Sequence, residues 1–467
     1  METPSQELKE VEMRTSEGGI SIGLLDSYGR PNTFVASFAA RTCYAAELPK
    51  IGEVIDVKEQ VYSTGHHTTL QHWYMTYVIS GIPVGLVDFC YHLGMTFYDT
   101  DQQSGRYSKM YSRPDYPAMK RYIMVHWPEV SVSLVDEVID YIKCGVEFYE
   151  KGKTLATELC KKYLLHERPF ITAKELEVKA AKVAQEQLRM LIPVIVPTNM
   201  VFTINVAALV SLWTVAWSPD MRVAMDMMRD IFLEKNPDMS YMFDSNRRRN
   251  MDWVPGGVPM IQFNGCLKRP QYTLKEVSLI KPVKVPDASD MHPLDLLQYD
   301  PDYLDNKVNT IKGQVHISLA TMGQDQRHRT IGRTAPSFTG YAYLPPLLVE
   351  AGLEADLSMM MSLWGKLSQK LPGSLSAILA PYGAMVTYEK EGDLNDLAHE
   401  MEKRLCFSAQ EEISEQARQM RNQVLESNPE LSWMFAPACL AGGKCGEGKR
   451  YCGRDFKNNP GFPERKV

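Results

Sequence analysis

The stretch MLIPVIVPTNMVFTINVAALVSLWTVAW, Met190–Trp217, sets the terms for the rest of the chain. Almost every side chain in it is apolar, and it exceeds the roughly 20 residues that a helix needs to cross a bilayer. Pro193, Pro197, Thr198, Asn199 and Asn205 interrupt it. In hydrocarbon, backbone groups freed at the prolines and the amide side chains would lack partners. The stretch is therefore expected inside a protein core. Only a large fold can wrap it. The chain has 467 residues, 44% hydrophobic and 23% charged, a globular composition with room for two or three domains.

Residues Met1–Gly19 are polar, so a flexible tail is expected there rather than an apolar leader. Nine cysteines, mostly scattered singly, suit a reducing, cytoplasmic setting. Apolar residues three and four apart predict amphipathic helices over LVDEVIDYIKCGVEFYEKGKTLATEL and AKELEVKAAKVAQEQLRMLI. The same pattern marks DLNDLAHEMEKRL and AQEEISEQARQMRNQVL in the second half. Between them, DSNRRRNMDWVPGGVPM reads as a linker, with Arg247, Arg248 and Arg249 solvated. KPVKVPDASDMHP reads as a long surface loop. The expected division is a tail at 1–19, a first domain at 20–245, a linker at 246–259, a second domain at 260–430 and a Cys/Gly-rich segment at 431–467. The halves share a spacing: Pro193, Asn205, Leu209 in the first and Pro381, Asp393, Leu397 in the second. A shared spacing points to an internal repeat.

The net charge of −6 argues against a general nucleic-acid binder. Local basic clusters then read as local sites. QDQRHRTIGRT places Arg327, His328, Arg329 and Arg333 within seven positions. DQQSGRYSKM, far upstream, places Arg106 on a Ser-Gly turn. Alone, an R-H-R run reads as a solvated face and S-G-R as an ordinary turn.

Together these segments resemble the flavin-dependent thymidylate synthases. That family carries an H-x-S-x-x-E-H element, an R-H-R run followed by serines and S-x-R-Y, then R-x-x-L-P and A-Q-x-E-I. The first half offers HHTTLQH (His66–His72), SGRYS (Ser104–Ser108), RMLIP (Arg189–Pro193) and Asn205. It lacks R-H-R: counting back from Ser104 puts Gly94, Met95 and Thr96 there, with Tyr91–Leu93 as a gapped alternative. The second half offers Gln324, the R-H-R run, His399, Arg404 and Ala409-Gln410-x-Glu412-Ile413. Its counterpart of Arg189 is Ala377, while the first-half counterpart of Arg404 is Ala216. Each half keeps a different part of one site.

The resemblance implies an α/β (α+β) fold of two tandem units, each a small mixed sheet with long packed helices. It implies reductive methylation of a dUMP-like pyrimidine deoxynucleotide. FAD is the implied cofactor, with NADPH and methylene-tetrahydrofolate as co-substrates. Arg327, Arg404 and Gln324 are the expected catalytic residues. Ser104, Gly105, Arg106, Tyr107, Arg189 and Arg404 would bind substrate. His66, Thr68, Gln71, Arg327, His328, Arg329, Asn205 and His399 would bind flavin, although Gln71 replaces the family's glutamate. A homodimer would form a four-unit pseudo-tetramer with functional sites only where unlike halves meet. No membrane partner is expected. The alternative function is a non-catalytic nucleotide- or flavin-binding protein, or a related flavoenzyme acting on another pyrimidine. Separately, Cys439, Cys445 and Cys452 lie in a Gly-rich stretch and are candidate ligands for zinc or an iron–sulfur centre, with Cys266, Cys406 or a histidine as a fourth ligand.

Overall fold

Pro197–Asn205, within the long apolar run, alternates buried and exposed side chains as a strand does. It ends where Asn205 Oδ1 accepts from Ala208 N–H at 2.9 Å, capping the helix Val206–Val215. The second half repeats the device. The strand Ala384–Asp393 ends where Asp393 accepts from Asp396 N–H at 2.9 Å, capping the helix Leu394–Arg404. The spacing of Pro, Asx and Leu in the sequence therefore marks a strand, a cap and a buried helix face in both halves.

The computed structural model describes residues 11–28, 34–42, 49, 55–65, 67–93, 98–106, 108, 110–111, 114–168, 171–249, 253–256, 258, 262–286, 296–441, 445, 451–452, 461–462 and 464–467. These form a mixed α/β structure with two sheets. The first sheet holds β1 (Arg14–Thr15), β2 (Ser21–Tyr28), β3 (Tyr74–Pro83), β4 (Tyr98–Gln102) and β5 (Pro197–Asn205), in the order β1-β2-β3-β5-β4. The second holds β6 (Gly265–Leu267), β7 (Gln271–Ser278), β8 (Thr310–Ser318), β9 (Gly332–Arg333), β10 (Ser337–Tyr343) and β11 (Ala384–Asp393). Its order is β6-β10-β11-β8-β7, with β9 also on β11. The series β2-β3-β5-β4 thus has a counterpart in β7-β8-β11-β10, and the outer strand is irregular in both, at Leu24/Asp26 and at Leu274/Glu276.

The halves meet where Pro193 pairs antiparallel with Pro381. Val194 N–H donates to Ala380 C=O and Tyr382 N–H donates to Ile192 C=O, both at 2.8 Å. Equivalent positions exchange equivalent bonds, as elements related by a two-fold axis do. Gly85 N–H donates to Val194 C=O at 2.9 Å, and its counterpart Ala320 donates to Tyr382 C=O at 3.1 Å. A further echo lies outside the spacing set out above. NPDMSYMF (Asn236–Phe243) and NPELSWMF (Asn428–Phe435) each follow a long helix. In each, the asparagine amide caps that helix, Asn236 on Phe232 C=O at 3.0 Å and Asn428 on Val424 C=O at 3.2 Å.

The predicted helices are Val132–Glu167, Ala173–Leu188, Leu394–Arg404 and Glu411–Ser427. One hydrophobic core runs through both halves. The long helix Val132–Glu167 spans them: Tyr141 Oη donates to Leu379 C=O at 2.9 Å, and a Cβ on Gly145 would lie 2.6 Å from Leu191 C=O. No described helix is long and apolar enough to cross a membrane. Of the arginine run expected to be solvated, Arg247 and Arg249 are exposed, while Arg248 is anchored. Arg248 pairs with Asp226 at 2.8 Å and lies 4.8 Å from the Trp213 ring centroid, while Arg247 lies over Tyr62. An indole face and a carboxylate outcompete water for the Arg248 guanidinium. Of the stretch read as a long surface loop, 287–293 lie outside the described residues.

Candidate active site

β4 hands the chain directly to the Ser104–Arg106 turn, where Gln103 N–H still pairs with Asn199 C=O at 2.8 Å. Arg106 N–H donates to Ser104 Oγ at 3.3 Å. A Cβ at Gly105 would lie 2.0 Å from Tyr111 Oη and 3.3 Å from Arg189 Nη1, so only glycine leaves room for the tyrosine hydroxyl, with the arginine close beneath. The last turn of the helix Ala173–Leu188 grips this loop. Gln185 donates to Gly105 C=O at 2.9 Å and to Ser108 C=O at 2.6 Å, and Glu186 pairs with Arg106. Arg189 follows on the same face and is only 5% exposed. Its Nη2 donates to Gln410 Oε1 at 2.9 Å and to Ala320 C=O at 3.3 Å, and it stacks over Tyr382.

The second half delivers its groups on the helix Leu319–Asp325, capped by Ser318. Glu412 pins the cap, accepting from Ser318 N–H at 2.7 Å and from Thr321 Oγ1 at 2.6 Å. Gln324 then reaches Gln410 Oε1 with its amide N–H, and Arg404 Nη2 donates to Gln324 C=O at 2.6 Å. The R-H-R turn faces β4. Arg327 donates to Thr100 C=O at 3.1 Å, and Arg329 pairs with Asp99 and lies 4.8 Å from the Tyr98 ring centroid. The two basic stretches, remote in sequence, thus meet across one strand. Behind the turn, Asp325 is fully buried and accepts from Arg333 at 2.6 Å, Lys390 at 2.7 Å and Tyr388 at 2.7 Å.

Electrostatics follow from this crowding. Burial alone would raise the Asp325 carboxyl, but Arg333 and Lys390 outweigh it and hold it well below its ordinary value. Arg404 is lowered, first by burial, with Arg106 and Arg327 adding like-charge repulsion against Glu400 and Asp325. Burial pushes Asp88 up to about 7, with Arg327 and Arg189 opposing. Burial and then Arg327 and Arg329 lower His92 to about 3, and burial and then Arg404 hold His328 well below the usual histidine value. Both rings are neutral. Four buried polar atoms at this junction have no partner among the described residues: Arg189 Nε, Arg404 Nε, Gln324 Oε1 and Gln410 Nε2. His328 Nε2 is a fifth, on the ring that faces His399 at 5.7 Å.

At the positions that the shared spacing pairs with this site, the described residues are apolar. Ala377 stands for Arg189 and Ala216 for Arg404, both fully buried. Counting from Gly85 and Ala320, Phe89 falls at the place of Gln324; the widened helical turn Val87–Tyr91 then breaks a one-to-one count towards the R-H-R run. Phe89 packs on Phe338 at 6.0 Å, and Phe338 on Trp364 at 5.0 Å.

Of the expected site residues, Ser104, Gly105, Arg106, Arg189, Gln324, Arg327, Arg329 and Arg404 converge within one chain, with His328 and His399 beside them. Thr68 and Gln71 do not join them: their helix His67–His72 packs near the helices Phe34–Thr42 and Val206–Val215. Asn205 serves as a cap. His66 and Tyr107 lie outside the described residues. Gln185, Glu186, Asp88 and Gln410 went unassigned in the sequence; the first two lie one turn before Arg189, a signal that was there to read. Burial raises the Cys439 thiol to about 11, with Cys445, Cys406 and Cys452 adding to the effect. Among the described residues, however, no group of three His, Cys, Asp or Glu is placed to hold a metal ion.

No curated protein matches the chain. Among solved structures it is similar to Thymidylate Synthase X from Helicobacter pylori, crystallised with FAD and dUMP, at 17% identity and a TM-score of 0.31. That likeness covers 49% of this chain and 99% of the other. Residues 24–238, which carry β4, the Ser-Gly-Arg turn and Arg189, match the family model described as Thymidylate synthase complementing protein.

Proposed function

We propose that this chain is a flavin-dependent thymidylate synthase-like enzyme, built of two tandem diverged units, with one working nucleotide site per chain. The observation that carries the reading is the set of partnerless polar atoms on Arg189, Arg404, Gln324 and Gln410, contributed by both halves. Left unmade, each such group costs about 1–3 kcal/mol. A uracil edge alternates C=O, N–H and C=O, and the free Gln410 Nε2–H and Gln324 Oε1 are complementary to part of it. Arg106 and the turn N–H groups suit a phosphate. The family match over residues 24–238 supports the same reading.

In this chemistry reduced flavin supplies a hydride and a methylene-folate supplies the carbon, with NADPH as reductant. The chain's own residues bind and orient. Arg106 and Ser104 hold the phosphate, Gln324 and Gln410 fix the ring edge, and Arg404 and Arg327 place positive charge where the ring gains electron density. The free Nε2 of His328, with Arg327 and Arg329, suits a flavin. Thr68, Gln71 and Asn205 would complete a flavin site only across a second copy of the chain, which calls for a homodimer.

The second reading is a nucleotide-binding protein without flavin. Its support is that Arg327 and Arg329 already bond to β4 while Thr68 and Gln71 lie apart. The absorbance spectrum of the isolated protein separates the two. A flavin spectrum bleached by NADPH supports the enzyme; a colourless protein that binds dUMP supports the binding module; failure to bind dUMP rejects both.

A further inference from the structure

The connection Leu405–Gln410 between the helices Leu394–Arg404 and Glu411–Ser427 is longer than its first-half counterpart, Ala216–Ser218. It carries Gln410, and the Ser408 C=O accepts from Arg106 Nη2 at 3.1 Å. Successive carbonyls along it are claimed by different partners. Phe407 C=O and Ala409 C=O accept from Arg465, at 3.0 and 3.1 Å, while Ser408 C=O between them goes to Arg106. Arg465 also lies 4.6 Å from the Phe407 ring centroid, and Arg168 donates to the same Phe407 C=O at 2.8 Å. The Arg465 side chain is only 5% exposed.

The segment around Arg465 is itself held fast. Lys466 N–H donates to Glu167 Oε1 at 3.1 Å, and Gln187 Nε2 donates to Lys466 C=O at 2.7 Å. Gln187 lies two residues before Arg189, beside Glu186, the partner of Arg106. Val467 is 4% exposed. One helix end therefore grips the Ser-Gly-Arg turn, the site arginine and this segment together.

We infer that Arg465 is a positioning residue for the nucleotide site: by clamping the carbonyls of Phe407 and Ala409 from behind, it sets Ser408 against Arg106 and Gln410 against Arg189 and Gln324. It touches no substrate. A guanidinium fork spans two carbonyls at once, which a single ammonium does not do with the same geometry. The inference rests on the reading of this junction as a pyrimidine nucleotide site.

The test compares dUMP and flavin binding by the full chain and by Arg465→Met and Arg465→Lys. Loss of the clamp should weaken dUMP by at least about tenfold, with flavin affinity held within about twofold, and lysine should restore little of it. Native-protein hydrogen exchange keeps the inference testable should the variants fail to fold. Adding dUMP should slow exchange at residues 405–410 and 464–467 together. A folded Arg465→Met protein with native dUMP affinity overturns the clamp alone, as does protection of 405–410 without 464–467. A native chain that binds no dUMP overturns the nucleotide reading and the clamp with it.

Discussion

Arg189 donates from Nη2 to Oε1 of Gln410 at 2.9 Å, and the two side chains come from opposite halves of the chain. Neither half can assemble this pair alone. Replacing Arg189 by Met or Gln410 by Ala should each weaken dUMP by about tenfold or more. Because the two share one hydrogen bond and Gln324, the double variant should fall short of the sum by about 0.5–3 kcal/mol. Calorimetric titration of the four proteins checks this; strict additivity would disprove coupling between the halves.

The charge on Arg106 should matter only for ligands with a phosphate. Arg106→Ala should cost dUMP about 10- to 100-fold while leaving deoxyuridine nearly unchanged. Equal losses for the two ligands would place Arg106 elsewhere in recognition.

The apolar positions Ala377, Ala216 and Phe89 should bind nothing, so titration should give one nucleotide per chain. Phe338→Ala should cost about 3–5 kcal/mol of stability by opening a cavity between Phe89 and Trp364. Its nucleotide stoichiometry should stay at one. Two equivalents in the native protein would contradict the asymmetry.

Asp325→Asn removes the carboxylate that Arg333 and Lys390 both bond, leaving Glu400 as the remaining ion-pair partner of Lys390. Breaking such a buried network typically costs about 3–5 kcal/mol, which denaturant unfolding would read. The R-H-R turn should loosen with it, because Arg333 also holds His328 C=O at 2.9 Å.

Glu411 gives a pH test. Burial, with Glu186 and Glu412 adding, raises its carboxyl from 4.5 to about 8. The folded state therefore keeps a proton that the unfolded state releases. Its contribution is fully present below about 4.5 and is lost as pH rises towards about 8. Glu411→Gln should remove this slope and gain on the order of 1–2 kcal/mol at pH 8. Thermal unfolding from pH 5 to 8.5 decides the matter; parallel curves for both proteins would refute it.

Arg189, the Ser-Gly-Arg turn and the R-H-R run were legible because charge stands out against apolar or glycine-rich surroundings. The helices were legible from their period. Asp88 was not, because its setting comes from Gly323 in the other half: a Cβ there would lie 3.2 Å from its carboxylate. Of Arg247–Arg249, only Arg248 departs from the solvated reading, because nothing local announces Asp226 or Trp213. The echo of NPDMSYMF in NPELSWMF needed no coordinates.

The pairing of Pro193 with Pro381 has a genetic corollary. In an assembly of identical subunits, every substitution is copied to all equivalent surfaces, so a change that suits one cavity is imposed on its twin. Here the facing strands are separate stretches of one polypeptide. Selection is free to fill one cavity with phenyl and indole rings for rigidity while it keeps guanidinium and amide groups in the other.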